Sequence, residues 1–94
     1  MNTPSELAEE RVTLSAEYGE MTEELIAISK FKPLRWLELR KDSKSDKATD
    51  RLWEASPEGI KEMELRLRMK AYEKRLSSIR TLLEVKTNEA RNLY

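Results

Sequence analysis

The fold is decided by the stretch LRLRMKAYEKRLSSIRTLLEVKTNEARNL, residues 65–93. Its mostly apolar positions recur at alternating intervals of four and three residues, which keeps them on one face of a slightly underwound helix. These positions are Leu65, Met69, Tyr72, Leu76, Ile79, Leu83, Lys86, Ala90 and Leu93. The spacing predicts a long helix that carries a seam like that of a coiled coil.

A stretch near the other end of the chain, LAEERVTLSAEYGEMTEELIAI at residues 7–28, repeats this spacing. Its seam positions are Leu7, Arg11, Leu14, Tyr18, Met21, Leu25 and Ile28. Antiparallel helices bring the residues that flank their seams together, so we expect Glu24 to pair with Arg68 and Glu17 to pair with Arg75. The sequence thus predicts a long antiparallel two-helix hairpin.

Helix-start and helix-stop signals divide the chain further. Thr3 and Pro4 are typical of a helix start, and Pro33 is typical of a helix end. We predict one helical domain over residues 1–94, with helices at about 4–30, 33–41, 46–55 and 57–93. The fold class is therefore all-α, a coiled-coil-like hairpin with short helices packed near the connecting end.

The short helices carry apolar side chains that need a partner. These side chains are Trp36, Leu37, Leu52 and Trp53. The last helix has a second apolar patch in its first half, on the face that points away from the first helix. The patch consists of Ile60, Met63, Leu67 and Ala71. We expect the two sets to bury each other as a small helical cap.

Composition excludes several kinds of site. The 94 residues include no cysteine and no histidine, so disulfides, thiolate metal sites and the commonest general base are excluded. The longest apolar run, Leu25–Ile28, is far too short to cross a membrane. No nucleophile elbow, phosphate loop or paired-acid motif is present. We therefore predict a cytoplasmic protein that is not an enzyme and has no cofactor.

Three aspartates that recur every four residues, Asp42, Asp46 and Asp50, resemble a cation site or a solvated helix face. A calcium loop needs a glycine in its middle and a bidentate glutamate at its twelfth position, where this chain has Trp53. Bases such as Lys47 lie between the aspartates and can pair with them. The sequence favours the solvated face and no metal site.

A run of bases on the last helix also allows two interpretations. The run is Arg66, Arg68, Lys70, Lys74, Arg75 and Arg80. It could bind the phosphates of a nucleic acid, or it could face the acidic first helix. Residues 1–30 carry a net charge of −5 and residues 31–94 a net charge of +5. We favour pairing with the first helix for part of the run.

The two tryptophans could stack on single-stranded bases or anchor a small core, and we favour the core. A tryptophan that stays exposed would, together with a neighbouring arginine, be a candidate hot spot for protein binding. The candidate partner-binding residues are Trp36, Arg40, Trp53, Arg66, Lys70, Lys74 and Arg80.

The segments WLELRKDSKSDKATDRLWEASPEGIKEME (36–64) and NEARNLY (88–94) resemble small, mostly uncharacterised helical accessory proteins of tailed bacteriophages. The resemblance implies an early-expressed protein of the infected bacterial cell. Such proteins often bind and redirect DNA-handling enzymes of the host or the phage. The resemblance supplies no catalytic residues.

These observations lead to one functional hypothesis with two alternatives. We predict a non-catalytic helical module that binds a host or phage nucleic-acid enzyme or a defence complex, in the manner of anti-CRISPR inhibitors. The first alternative is an accessory protein of phage recombination or replication that binds nucleic acid directly. The second is a self-associating structural protein. A two-helix seam is thin, so we expect a homo-oligomer, in the simplest case a dimer, under each hypothesis.

Overall fold

The computed structural model describes residues 3–92, with side chains for residues 3–88. They form three helices: α1 at Pro4–Lys41, α2 at Asp46–Ala55 and α3 at Pro57–Asn92. The described residues contain no strand, which confirms the all-α prediction. The molecule is elongated, with extents of 70 × 20 × 18 Å. None of the helices within residues 3–92 combines the length and apolarity that a membrane span requires.

Serine and threonine side chains hold the start of each helix. Thr3 accepts a hydrogen bond from the Glu6 backbone at 3.1 Å, and Ser45 accepts one from the Ala48 backbone at 3.1 Å. Such bonds satisfy backbone N–H groups that have no partner within the first turn of a helix. The connections between the helices are short: residues 42–45 join α1 to α2, and Ser56 joins α2 to α3.

The first helix does not end before Pro33. The predicted helix at 4–30 and the predicted helix at 33–41 are one continuous helix, α1, with Pro33 in its interior. An interior proline lacks the N–H for one helical hydrogen bond and costs about 3 kcal/mol. Contacts on both sides of it oppose that cost: Phe31 packs on Trp53, and Trp36 bonds to Asp50.

Contacts connect α1 to α3 in reverse order along the chain. Arg75 donates two hydrogen bonds to Glu10, at 2.7 and 2.6 Å. Tyr72 donates to Glu17, and the Lys61 ammonium lies 3.6 Å from Glu24. Two further contacts join Tyr18 to Glu73 and Lys32 to Glu62.

The ion pairs predicted between these helices are wrong by one heptad. Arg75 pairs with Glu10 instead of Glu17, and Glu24 pairs with Lys61 instead of Arg68. In an antiparallel pair, each flanking position lies between two flanking positions of its neighbour, which are seven residues apart. The charge pattern favours the observed choice, because it places Arg75 opposite Glu10, where the predicted choice would place Leu82.

The core is thin and lies in two places. Leu7 and Ile79 are fully buried near one end of the molecule. At the other end Ile28, Trp53 and Leu65 form a cluster. Half-buried side chains pack against this cluster: Met21, Leu25 and Leu39. The seam positions Ala90 and Leu93, and most of the NEARNLY segment, lie outside the described side chains.

The predicted helical cap does not form as expected. Of the four apolar side chains assigned to it, only Trp53 is buried, and Trp36 is half-buried. The others remain exposed, as does the patch on α3: Leu37, Leu52, Ile60, Met63, Leu67 and Ala71. Because α1 continues through Pro33, Leu37 falls on the face of α1 opposite to Ile28 and cannot reach α2.

Candidate protein-binding groove

Trp53 anchors the place where the three helices meet. It lies four residues after Thr49, so the two buried side chains share the inward face of α2. The indole is only 3% exposed. Its ring centre lies 6.1 Å from that of Phe31, edge to face, and the Lys32 ammonium lies 5.3 Å from it. Both geometries favour a fixed position for the indole.

Glu62 ties α3 to this anchor. Its Oε1 accepts hydrogen bonds from Lys32 Nζ at 3.0 Å and from Trp53 Nε1 at 3.2 Å. Glu62 is 8% exposed, and its buried Oε2 has no hydrogen-bond partner among the described residues. The Arg66 guanidinium lies 3.9 Å from Oε2.

The charge of Glu62 is stabilised where it lies. Burial by itself would raise the pKa of Glu62. The hydrogen bonds from Lys32 and Trp53, with the attraction of Lys32 and Arg66, outweigh burial and hold this pKa below its ordinary value. The carboxylate is therefore ionised at neutral pH and links all three helices.

A tight junction sets the start of α3 against the end of α2. The Ser56 hydroxyl donates to the Trp53 carbonyl at 2.5 Å and accepts from the Gly59 backbone at 3.1 Å. A Cβ on Gly59 would lie 1.8 Å from that same carbonyl oxygen. Only glycine fits this close approach of the two backbones.

These elements form an open groove of about 630 Å³, which we call the Trp53 groove. Its apolar lining, which we call the floor, consists of Leu25, Trp53, Met63, Leu67 and Met69. Its exposed charged lining, which we call the rim, consists of Glu54, Arg66, Lys70 and Glu73, and the buried Glu62 also lines the groove. Met63 and Leu67 are 56% and 59% exposed. An apolar floor with a charged rim is the pattern of surfaces that bind an amphipathic helix.

The groove brings together three of the residues that the sequence indicated as candidates. Trp53 contributes to the floor, and Arg66 and Lys70 lie on the rim one helical turn apart. Trp53 is buried, so it supports the groove more than it offers area to a partner.

Two other candidates stabilise the turn between α1 and α2. Trp36 donates its Nε1 proton to Asp50 at 2.8 Å. Arg40 donates to Asp46 and to the Ser43 carbonyl, both at 2.8 Å. Neither residue lines the Trp53 groove. These contacts involve Asp46 and Asp50, two of the three aspartates whose spacing resembles a cation site.

The remaining candidates lie along α3, outside the groove. Lys74 is exposed. Arg80 is exposed, lies 3.3 Å from Glu84, and lines a separate shallow depression with Arg11. The run of bases is therefore spread over several turns of α3.

Sequence reasoning missed Glu62, Lys32 and Gly59 as parts of the site. The signal for the first two was present, because both lie on the seams when these are extended by one step. Glu62 precedes Leu65 by three residues, and Lys32 follows Ile28 by four. Oppositely charged residues at facing apolar positions indicate a partly buried ion pair. Gly59 gave no such signal.

Comparison with known proteins finds no family model, no curated protein and no solved structure that matches this chain.

Proposed function

We propose that this chain is a non-catalytic helical module that binds another protein in the Trp53 groove. One observation carries the proposal: Met63 and Leu67 are more than half exposed on the floor of a groove whose base is rigid. Clustered apolar side chains that a chain leaves uncovered are typical of interaction sites.

The proposal includes a long antiparallel hairpin of α1 and α3, like a coiled coil, which holds the groove in shape. The reverse order of the contacts between these helices supports it, since Glu10 meets Arg75 whereas Lys32 meets Glu62. A groove on such a rod can accept a partner without reorganising its own backbone, which lowers the entropic cost of binding.

The partner that fits this groove is an amphipathic helix. Its apolar side chains would cover Met63 and Leu67, and an acidic side chain would pair with Arg66 or Lys70 at the rim. The resemblance to phage accessory proteins adds the class of partner: a host or phage nucleic-acid enzyme, or a defence complex, which the module modulates or inhibits in the infected bacterial cell.

The test compares two variants in affinity purification from a bacterial lysate. Met63→Glu places a charge on the groove floor, whereas Leu34→Glu makes the same change on an exposed apolar residue outside the groove. We expect the wild type and Leu34→Glu to recover one stoichiometric protein partner, and Met63→Glu to recover at least tenfold less. Circular dichroism checks that both variants are folded.

Nuclease treatment of the lysate separates the alternatives. A partner that Met63→Glu retains at the wild-type level would contradict the groove. Recovery of nuclease-sensitive material only would replace protein binding with nucleic-acid binding through the bases of α3.

A further inference from the structure

The molecule exposes more surface than its mass requires. Its accessible surface is 7365 Å². A compact monomer of 11.1 kDa would expose about 5,700 Å². The excess of about 1,700 Å² matches the total area that a protein–protein interface of standard size buries.

The outer face of α1 is smooth and apolar at both ends. Its positions are spaced by four, three, four and three residues: Val12, Ala16, Gly19, Glu23 and Ile26. All five are exposed, and Val12 is 71% exposed. A Cβ on Gly19 would meet no atom within 4 Å. A neighbouring helix could therefore approach this face closely.

The outer face of α3 has a matching pattern. It consists of Leu67, Ala71, Lys74, Ser78 and Leu82, all of them exposed. Val12 and Ile26 are 14 residues apart, or about 21 Å along a helix, and Leu67 and Leu82 are 15 residues apart, or about 23 Å. Small residues lie between the apolar ends of each face: Ala16 and Gly19 on α1, and Ala71 and Ser78 on α3.

The charges beside the two faces are opposite, and they form no ion pairs among the side chains that the structure describes. Glu10, Glu17 and Glu24 of α1 all contact α3. Glu20 and Glu23 form no ion pair with any side chain of residues 3–88, and the same is true of Lys70 and Lys74. Acidic residues thus border one face, and basic residues border the other.

We propose that the outer face of α1 in one copy docks antiparallel on the outer face of α3 in a second copy. This alignment brings Ile26 to Leu67 and Val12 to Leu82. It also places Glu23 beside Lys70 and Glu20 beside Lys74, at facing positions where opposite charges attract. The contact buries apolar side chains that the single chain leaves exposed.

The contact is heterologous because it joins two different faces. The faces lie on opposite sides of the molecule, so each copy keeps one face of each kind free after the first contact. Further copies can add in the same way, which gives a ring if the rotation between copies closes and an open filament if it does not. This interface goes beyond the proposed function. It shares Leu67 and Lys70 with the lining of the Trp53 groove, so self-association and partner binding compete for that part of α3.

The first test uses the absence of cysteine from the chain. Val12→Cys and Leu82→Cys are made as separate proteins and mixed under mild oxidation. We expect the mixed disulfide to form at least tenfold faster than the mixed disulfide of Leu34→Cys with Leu82→Cys, the matched control. Disulfides between two copies of Val12→Cys that outpace the mixed product would overturn the heterologous contact.

Sedimentation equilibrium gives the second test. The wild type should associate at micromolar concentrations, and the double variant Glu20→Lys/Glu23→Lys should raise the dissociation constant at least tenfold. Adding Lys70→Glu and Lys74→Glu to that variant should restore association, because the charges are then exchanged. A wild type that stays monomeric at 100 μM would overturn the proposal. Met63→Glu should associate like the wild type, so failure here is distinct from failure of the groove.

Discussion

Replacing each of the two glycines with alanine adds one methyl group to a helix, and the structure predicts opposite effects on stability. Gly19 lies in the interior of α1, and its added Cβ would meet nothing within 4 Å. Alanine is a better helix former than glycine by about 0.8–1.0 kcal/mol. We expect Gly19→Ala to raise the free energy of unfolding by about that amount.

Gly59→Ala should have the reverse effect. Its Cβ would lie 1.8 Å from the Trp53 carbonyl oxygen, 2.7 Å from the carbonyl carbon and 3.1 Å from the Cα of Glu54. These are backbone atoms, so the junction between α2 and α3 would have to open. Overpacking of this kind costs about 1–3 kcal/mol or more, and weakening the bond from Trp53 to Glu62 adds to the cost. We expect a net loss of about 2–4 kcal/mol.

Thermal unfolding followed by far-UV circular dichroism measures both effects, with all proteins at one concentration because association would shift the midpoint. For a domain of this length 1 kcal/mol corresponds to about 4–8 °C. Gly19→Ala should therefore raise Tm by about that interval, and Gly59→Ala should lower it by more than that. A Gly59→Ala protein as stable as the wild type would refute the close approach of α2 and α3.

Three further substitutions test other contacts. Glu62→Gln should lower the free energy of unfolding at neutral pH by about 1–3 kcal/mol, because it removes a buried charged acceptor. The matched control is Glu64→Gln at an exposed position, which should change the free energy of unfolding by less than about 0.5 kcal/mol. The pKa of Glu62 is lowered in the folded state, so its contribution to the free energy of unfolding is present above the usual carboxyl range and is lost as the pH falls through the folded pKa. Urea titrations at several pH values should therefore show the stabilities of the two variants converging in acid. The hydrogen bond that Tyr72 donates to Glu17 raises the pKa of Tyr72. The stability that this bond contributes is therefore present below the usual tyrosine pKa and is lost as the pH rises through the folded pKa. Tyr72→Phe should therefore remove a component that titrates late in an absorbance titration, and loss of a component in the usual tyrosine range would contradict the bond. Pro33→Ala should stabilise α1 by about 1–3 kcal/mol in urea unfolding, and a loss of stability would show that the proline ring is needed for packing.

The sequence predicted helices along nearly the whole chain because seam spacing and capping are local. Leu7 and Ile28, or Leu65 and Ile79, reveal a helical face by their intervals alone, and all four are buried. The role of Pro33 could not be judged in the same way. Its local cost is known, but the contacts of Phe31 and Trp36 with α2 that oppose it exist only after folding.

The candidate site was predicted in part. Trp53, Arg66 and Lys70 were indicated by residue type, and they do line one groove. Trp36 and Arg40 are of the same types, yet they bond to aspartates at the turn between α1 and α2. The choice between these outcomes depends on how the three helices pack against one another, which residue type alone does not reveal. Gly59 illustrates the limit, since the need for glycine arises from a carbonyl six residues earlier.

The extended shape of the chain has a consequence for how its size is measured. The Cα radius of gyration is 20.1 Å. A compact domain of 94 residues would have a radius of gyration of about 12 Å, and a value near 20 Å corresponds to a compact protein of about 340 residues. A scattering radius or a gel-filtration volume read against globular standards would thus assign several chains to what is one. Only a method that weighs the particle, such as static light scattering, can count the copies of this rod.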